Sequence, residues 1–207
     1  MASVKDKLAT CATVHNYGEA DGRSWALMEC SYCGGTQALV VGYVMDSLMP
    51  MTTWYRCVNC LRGSVVNDGT QSPGIKPLST PARMPETDTA VWEEARACLA
   101  VGAYTAAVMI CRKLLMHVAV AHDLPAKNEK GRAPTFVAAL DHLQEEGIVT
   151  RPMRKWIDRV KEVGNEANHE LTPTTKEQAM DIASFTHQLL RLAYEIPAMI
   201  EDTEPTA

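Results

Sequence analysis

The sequence predicts an α+β protein in which a small zinc-ribbon β domain precedes an all-α bundle of about five helices. Three observations support this fold class: two matched Cys-x2-Cys pairs, a proline-rich segment near residue 80, and helical periodicity after that segment. The 207 residues suffice for one domain or two small ones. With 46% hydrophobic and 22% charged residues, the composition is that of a globular protein.

Charge and hydropathy exclude several classes of protein. The net charge of −5 excludes a strongly basic nucleic-acid coat. The first 20 residues lack the apolar core of a signal peptide, and the longest apolar run, residues 98–111, is too short to span a bilayer. We therefore expect a soluble, cytoplasmic protein without membrane contact. In a reducing cytosol its seven cysteines are expected to be metal ligands or core residues.

The first predicted domain is the zinc ribbon, over residues 1–70. Short runs rich in valine and tyrosine, such as ALVVGYVM, are bounded by glycines and predict strands. Cys30 and Cys33 are separated by two residues, and Cys57 and Cys60 repeat that spacing. One tight turn can aim both sulfurs of such a pair at a metal, so these four cysteines predict one structural Zn²⁺. Four thiolates leave no open coordination position, and we expect no zinc catalysis.

Two further features of the ribbon allow alternatives. Cys11 and His15 form a Cys-x3-His pair, which is either part of a second metal site or an ordinary N-terminal segment. Aromatic and arginine side chains are interspersed along the domain: Trp25, Tyr32, Trp54, Tyr55, Arg56 and Arg62. Such side chains can stack bases and bind phosphates, but they can equally form the core of a small ribbon or contact a protein.

A linker is predicted at 71–87, because the four prolines and one glycine of QSPGIKPLSTPARMP cannot hold a regular helix. A helical bundle follows at 88–200, and then an acidic tail at 201–207. The ribbon is nearly neutral, so the negative net charge belongs to the part of the chain after the linker.

The apolar periodicity of the bundle predicts five helices, at 89–101, 103–122, 134–146, 152–170 and 174–196. The second helix is apolar on most sides and is expected at the centre, with Cys98 and Cys111 packed in the core. Thr174, with Glu177 three residues later, predicts a capping box for the last helix.

The fourth predicted helix has an apolar and a polar face. At about 100° per residue, Val160 falls with Trp156 on a buried stripe. Five polar side chains lie on the opposite side: Arg154, Asp158, Lys161, Asn165 and His169. This polar face is either a solvated surface or a surface that meets a partner or substrate. Gly164, about 1 kcal/mol less favourable there than alanine, indicates a close backbone approach or a local break.

The segment WIDRVKEVGNEANHE, residues 156–170, resembles the signature of an uncharacterised helical domain family. Members of that family occur alone, behind a small zinc-binding segment, or attached to type I restriction-enzyme motor subunits. WEEARACLAVGAYTAAVMICRKLL, residues 92–115, resembles the first two helices of the same family, and the resemblance spans about 92–197. The family is similar to the HEPN superfamily (higher eukaryotes and prokaryotes nucleotide-binding), whose helical bundles are commonly dimeric and often metal-independent ribonucleases. The resemblance therefore implies a homodimer formed through the bundle and a role in phage–host conflict or on RNA.

The HEPN signature is an arginine, usually a polar residue next, and a histidine a few residues later. Asn165 and His169 match the polar residue and the histidine, but Gly164 stands where the arginine is expected. If the site is catalytic, His169 is the expected acid or base and Asn165 orients the phosphate. The cation would come from one of three side chains: Lys161, Arg159 or Arg112.

Arg112 and His117 also form an Arg-x4-His string, but a helix turns them about 140° apart, so we interpret both as structural. Two functions follow. The first is a non-catalytic module that binds nucleic acid or a protein partner, which Gly164 favours. The second is a metal-independent endoribonuclease that uses His169, which the polar pair Asn165 and His169 favours.

Overall fold

A β unit and a helical unit follow each other along the chain. In this computed structural model the described residues are 17–19, 25–46, 49–127, 131–153, 155–156, 160 and 173–202. They divide into Met1–Lys76, which contains all the strands described, and Pro77–Ala207, which contains the helices. This division confirms the α+β class.

The described residues of the β unit form one antiparallel sheet of six strands. Their bounds are β1 Tyr17–Glu19, β2 Trp25–Leu27, β3 Gln37–Asp46, β4 Met49–Cys57, β5 Gly63–Asn67 and β6 Thr70–Ser72. The order is β1-β3-β4-β5-β6, and β2 also pairs with β3. Strand β3 therefore has β4 on one edge and shares its other edge between β1 and β2.

Two local features shape this sheet. Asp68 and Gly69 join β5 to β6 with φ of 47° and 74°, the left-handed pair that a two-residue hairpin turn needs. In the β3–β4 pairing the register shifts between Val40 and Gly42, which leaves Val41 as the extra residue of a bulge.

The helical unit begins directly after Pro85. Its elements are α1 Glu86–Ala100, α2 Tyr104–Ala121, α3 Phe136–Glu145, a 3₁₀ turn Arg151–Met153, α4 Lys176–Leu190, a π-helical turn Arg191–Glu195 and α5 Ile196–Glu201. Four of the five predicted helices are therefore found within a few residues of their predicted bounds. The fourth predicted helix, 152–170, lies mainly outside the described residues. Within it, residues 155–156 and 160 are described and helical.

Helix α2 is the centre of the helical core. The largest fully buried side chains come from four helices: Trp92, Val108, Leu114, Leu115, Val118, Leu140, Leu143, Ile182, Phe185, Leu189 and Leu190. Cys111 is buried and Cys98 packs against this core, as predicted. By length and composition alone α2 could cross a membrane, but its apolar residues supply the centre of the bundle core.

Two predictions for this unit need correction. Val160 is buried, but Trp156 is 43% exposed and meets Phe185 only edge to face, with ring centroids 5.8 Å apart. The capping box of α4 uses Thr175 and Gln178, one residue later than predicted. Thr174 does not cap the helix because it is buried against Thr105, whose hydroxyl accepts the Thr174 N–H at 3.2 Å.

The segment predicted as a linker, 71–87, is ordered and shared by the two units. Its first residues complete β6, and the later ones pack on the helices. The indole N–H of Trp92 donates to the Ser79 carbonyl at 3.0 Å, and Arg96 Nε donates to the Pro77 carbonyl at 3.0 Å. The prolines exclude a helix here as expected, and the carbonyls that a helix would have used accept hydrogen bonds from α1 instead.

Candidate metal centre

The four predicted metal ligands come together at one end of the sheet. Cys30 Sγ lies 3.6 Å from Cys60 Sγ, Cys33 Sγ lies 3.7 Å from Cys57 Sγ, and all four sulfurs lie within 4.8 Å of one another. A disulfide would bring two sulfurs to about 2.05 Å, so the four are free thiols. A tetrahedron of sulfurs around zinc, with bonds of about 2.3 Å, has edges of about 3.8 Å. The cluster can therefore hold a metal ion, and its spacing fits zinc.

Two similar turns aim these sulfurs. The N–H of Gly34 donates to the Cys30 carbonyl at 2.9 Å, and the N–H of Leu61 donates to the Cys57 carbonyl at 3.1 Å. Gly34 and Leu61 each stand four residues after the first cysteine of a pair, with φ of 70° and 61°. Both turns therefore need a left-handed backbone conformation at the same position. Glycine adopts it easily in the first turn, whereas a leucine adopts it in the second.

The four thiols are not equivalent. The backbone N–H of Gly35 and the Asn59 amide, whose Nδ2 lies 3.5 Å from the sulfur, lower the pKa of Cys33 to about 6. At Cys60 the backbone N–H of Arg62 acts in the same direction, but loss of solvent and the three neighbouring thiols raise its pKa to about 11. The cluster thus favours one thiolate, and a divalent cation bound there would displace the remaining protons.

Strand β6 is fastened to the first cysteine turn by side chains that the sequence analysis missed. Gln71 Nε2 donates to Ser31 Oγ at 2.7 Å and to the Glu29 carbonyl at 3.0 Å. The Ser31 hydroxyl in turn donates to the carbonyl of Pro73. Each of these bonds joins positions about forty residues apart. A local sequence motif cannot predict such a contact.

The face of the sheet that points away from Cys57 carries exposed apolar side chains, and we call it the open face. Its members include the exposed Trp25, Leu27, Leu39, Val41, Trp54 and Arg56 and the partly buried Val65. Because successive residues of a strand point to opposite sides, Arg56 lies on the open face and Cys57 on the metal face. A pocket on the open face is lined by Val41, Trp54, Tyr55, Arg56, Gly63, Ser64, Val65 and Ser72.

The remaining aromatic and arginine residues of the β unit lie elsewhere. Arg62 packs over the ring of Tyr32, 4.8 Å from its centroid, and so links the two cysteine turns. Tyr55 is half-buried on the metal face, next to the buried Thr53 of the same face.

The predicted catalytic side chains lie outside the described residues: His169, Asn165, Lys161 and Arg159, together with Gly164. Cys11 and His15 also lie outside them. Arg112 is described, and its guanidinium packs 4.3 Å from the centroid of the Phe136 ring. Burial lowers the pKa of Arg112, and its Nη1 is buried without a hydrogen-bond partner among the described residues.

His117 contacts a different part of the bundle from Arg112. Its Nε2 lies 3.1 Å from Oδ1 of Asp88, a buried carboxylate of α1. The Tyr194 hydroxyl donates to Asp88 Oδ2 at 2.7 Å, and burial together with this carboxylate raises the pKa of Tyr194. Arg112 packs on α3 and His117 on α1, so the structure does not bring this Arg-x4-His pair into one site.

Comparisons with known proteins address the helical unit. A family model described as a domain of unknown function (DUF4145) matches residues 93–203. No curated protein and no solved structure matched the chain. The matched residues begin within α1 and leave the β unit, with its four cysteines, outside the match.

Proposed function

Since the chain belongs to the family of the domain of unknown function DUF4145, we propose that it is a non-catalytic binding module in which a zinc ribbon precedes a HEPN-like helical domain. Its partner is a nucleic acid or a protein, and it acts in the cytoplasm in an RNA-directed process or in phage–host conflict. The observation that carries the proposal is the four-cysteine cluster, because its geometry suits a closed structural site.

A metal site without an open coordination position would stabilise the sheet beside it. Cys30, Cys33, Cys57 and Cys60 would hold the ion, and the bound ion would supply a cross-link between two turns. Cys57 is the last residue of β4, so the cross-link would fix the end of a strand whose other face is exposed. In small zinc domains such a cross-link is worth about 10–16 kcal/mol of folding free energy.

The helical unit supports binding more than catalysis. Gly164 replaces the arginine of the HEPN signature, and Arg112, one of the side chains considered as a substitute, is packed on the Phe136 ring. A guanidinium held in that way is not displayed to a phosphate. In this proposal the helical domain forms a homodimer, as the HEPN resemblance implies, and the β unit faces the partner.

The metal content of the purified full-length protein tests the proposal. We expect one zinc per chain, and we expect chelation or Cys57→Ser to unfold the β unit. Cys98→Ser is the matched control, because Cys98 is a half-buried thiol of α1 outside the cluster. A folded, metal-free protein whose stability is the same with and without Cys57 would refute the proposal.

An endoribonuclease that uses His169 is the second candidate, and the matching pair Asn165 and His169 favours it. Cells expressing the wild type, His169→Ala or His122→Ala distinguish the two functions. A nuclease would degrade RNA and slow growth only where His169 is present. Intact RNA and equal growth in all three strains would exclude the nuclease.

A further inference from the structure

Two tryptophans of the β unit display their rings to solvent on the open face. Trp25 is 63% exposed and Trp54 is 42% exposed, whereas Trp92 in the helical unit is 0% exposed. An exposed indole offers a flat π surface to any planar group that approaches it.

The strand register places an arginine between these aromatic positions. Trp25 of β2 lies opposite Leu39, and Leu39 lies opposite Arg56 of β4. Trp54 precedes Arg56 by two residues in β4, so both side chains point to the same face, about 7 Å apart along the strand. The open face therefore presents an aromatic ring, a cation and a second aromatic ring in one small area.

A glycine leaves the backbone beside Arg56 uncovered. Gly63 is the cross-strand partner of Arg56 and is exposed. A methyl group built on Gly63 would approach only the backbone carbonyl of Tyr55, at 3.7 Å. A planar group can therefore lie flat against the backbone at Gly63, in the pocket that Trp54 and Arg56 also line.

The position of Arg56 indicates the class of partner. This charged residue lies in the same cross-strand row as Trp25 and two residues from Trp54. Its Nε donates to the Leu61 carbonyl at 3.3 Å, which holds the guanidinium in place, and the residue is otherwise exposed. One fixed cation beside two exposed rings is complementary to an anionic chain that carries planar groups.

We propose that the open face binds single-stranded nucleic acid, with bases stacked on Trp25 and Trp54 and a phosphate bound by Arg56. A duplex does not suit the surface, since its base faces are hidden in the stack. The inference rests on the proposed function as a binding module and names the class of its partner. With a net charge of −5 the rest of the chain adds no attraction, so binding depends on these local contacts.

Fluorescence anisotropy of labelled dT12, rU12 and a 12-base-pair duplex tests the inference on the zinc-loaded full-length protein. Trp54→Leu keeps an apolar side chain but removes the ring, and we expect about 5- to 150-fold weaker binding of the single strands. Arg56→Gln should reduce the slope of log affinity against log salt by about 0.7, the value for one phosphate contact on a single strand.

Tyr43→Leu is the matched control for the tryptophan, because Tyr43 is an exposed ring of the same sheet on its metal face. It should leave the affinity unchanged, and zinc content and melting temperature should be the same in all variants. An equal loss of single-strand affinity in Tyr43→Leu and Trp54→Leu would overturn the inference. Tight binding of the duplex that does not depend on Trp54 would overturn it as well. If the wild type binds no oligonucleotide, or the face captures only a protein, the inference fails, whereas the proposed binding module is judged separately by its metal content.

Discussion

Trp92→Phe is the sharpest test of how the proline-rich segment is held. Trp92 is fully buried in the core, stacks on His187 with ring centroids 5.9 Å apart, and donates to the Ser79 carbonyl at 3.0 Å. Phenylalanine keeps an aromatic ring but removes the N–H donor and part of the ring system. The segment that carries Ser79 should therefore loosen while the helices themselves persist.

The size of the effect follows from these contacts. The Ser79 carbonyl can turn to water, so losing the hydrogen bond should cost about 1 kcal/mol. An indole has two more ring carbons than a phenyl group, besides the nitrogen already counted, and at roughly 0.8 kcal/mol per buried methylene equivalent their loss adds about 1.6 kcal/mol. The sum is about 2.6 kcal/mol, or a decrease in Tm of about 10 °C at roughly 4 °C per kcal/mol for a unit of this size.

Calorimetry and limited trypsin digestion measure this prediction. Besides the lower Tm, the variant should be cut faster after Arg83, an exposed residue of the segment. Trp156→Phe is the control, because that ring is 43% exposed and should cost less than about 1 kcal/mol. A Trp92→Phe protein whose Tm and cleavage rate equal those of the control would refute the reasoning.

Two further predictions concern the same unit. Burial, followed by the positive charge of Arg191, lowers the pKa of His187, so the folded state holds this imidazole neutral. An unfolded histidine titrates near about 6.5, so the stability of the helical unit should fall as the pH drops below that value, and His187→Gln should flatten urea midpoints measured between pH 7 and 5. Removing the cap with Thr175→Ala should cost about 1 kcal/mol in urea titrations, because the hydroxyl accepts the Gln178 N–H. A loss of about 1 kcal/mol in Gln178→Ala, with no loss of stability in Thr175→Ala, would contradict that assignment.

The cysteine cluster could be predicted from the sequence because metal ligation is encoded locally. Each turn must place two sulfurs within a few ångströms, and the two-residue gap of Cys30–Cys33 and Cys57–Cys60 reports this directly. Helix positions were likewise predictable from periodicity, since each helix buries one stripe in a shared core.

Other features depend on contacts that are distant in sequence. The segment with Ser79 looks like a linker until Trp92 is placed against it, and the cap of α4 shifts by one residue because Thr105 engages Thr174. The open face follows from the strand register and from the bulge at Val41, neither of which an alternating pattern specifies. The chemistry expected of His169 stays a prediction, because that residue lies outside the described part of the chain.

A single peptide bond separates Arg56 on one face of β4 from Cys57 on the other. If metal and nucleic acid both require the same alignment of this strand, their binding equilibria are thermodynamically linked, and each ligand must raise the affinity for the other by the same factor. A chelator should therefore remove less zinc at equilibrium when an oligonucleotide is bound, although the two ligands lie on opposite faces. The β unit would then hold its metal more tightly whenever its partner is bound.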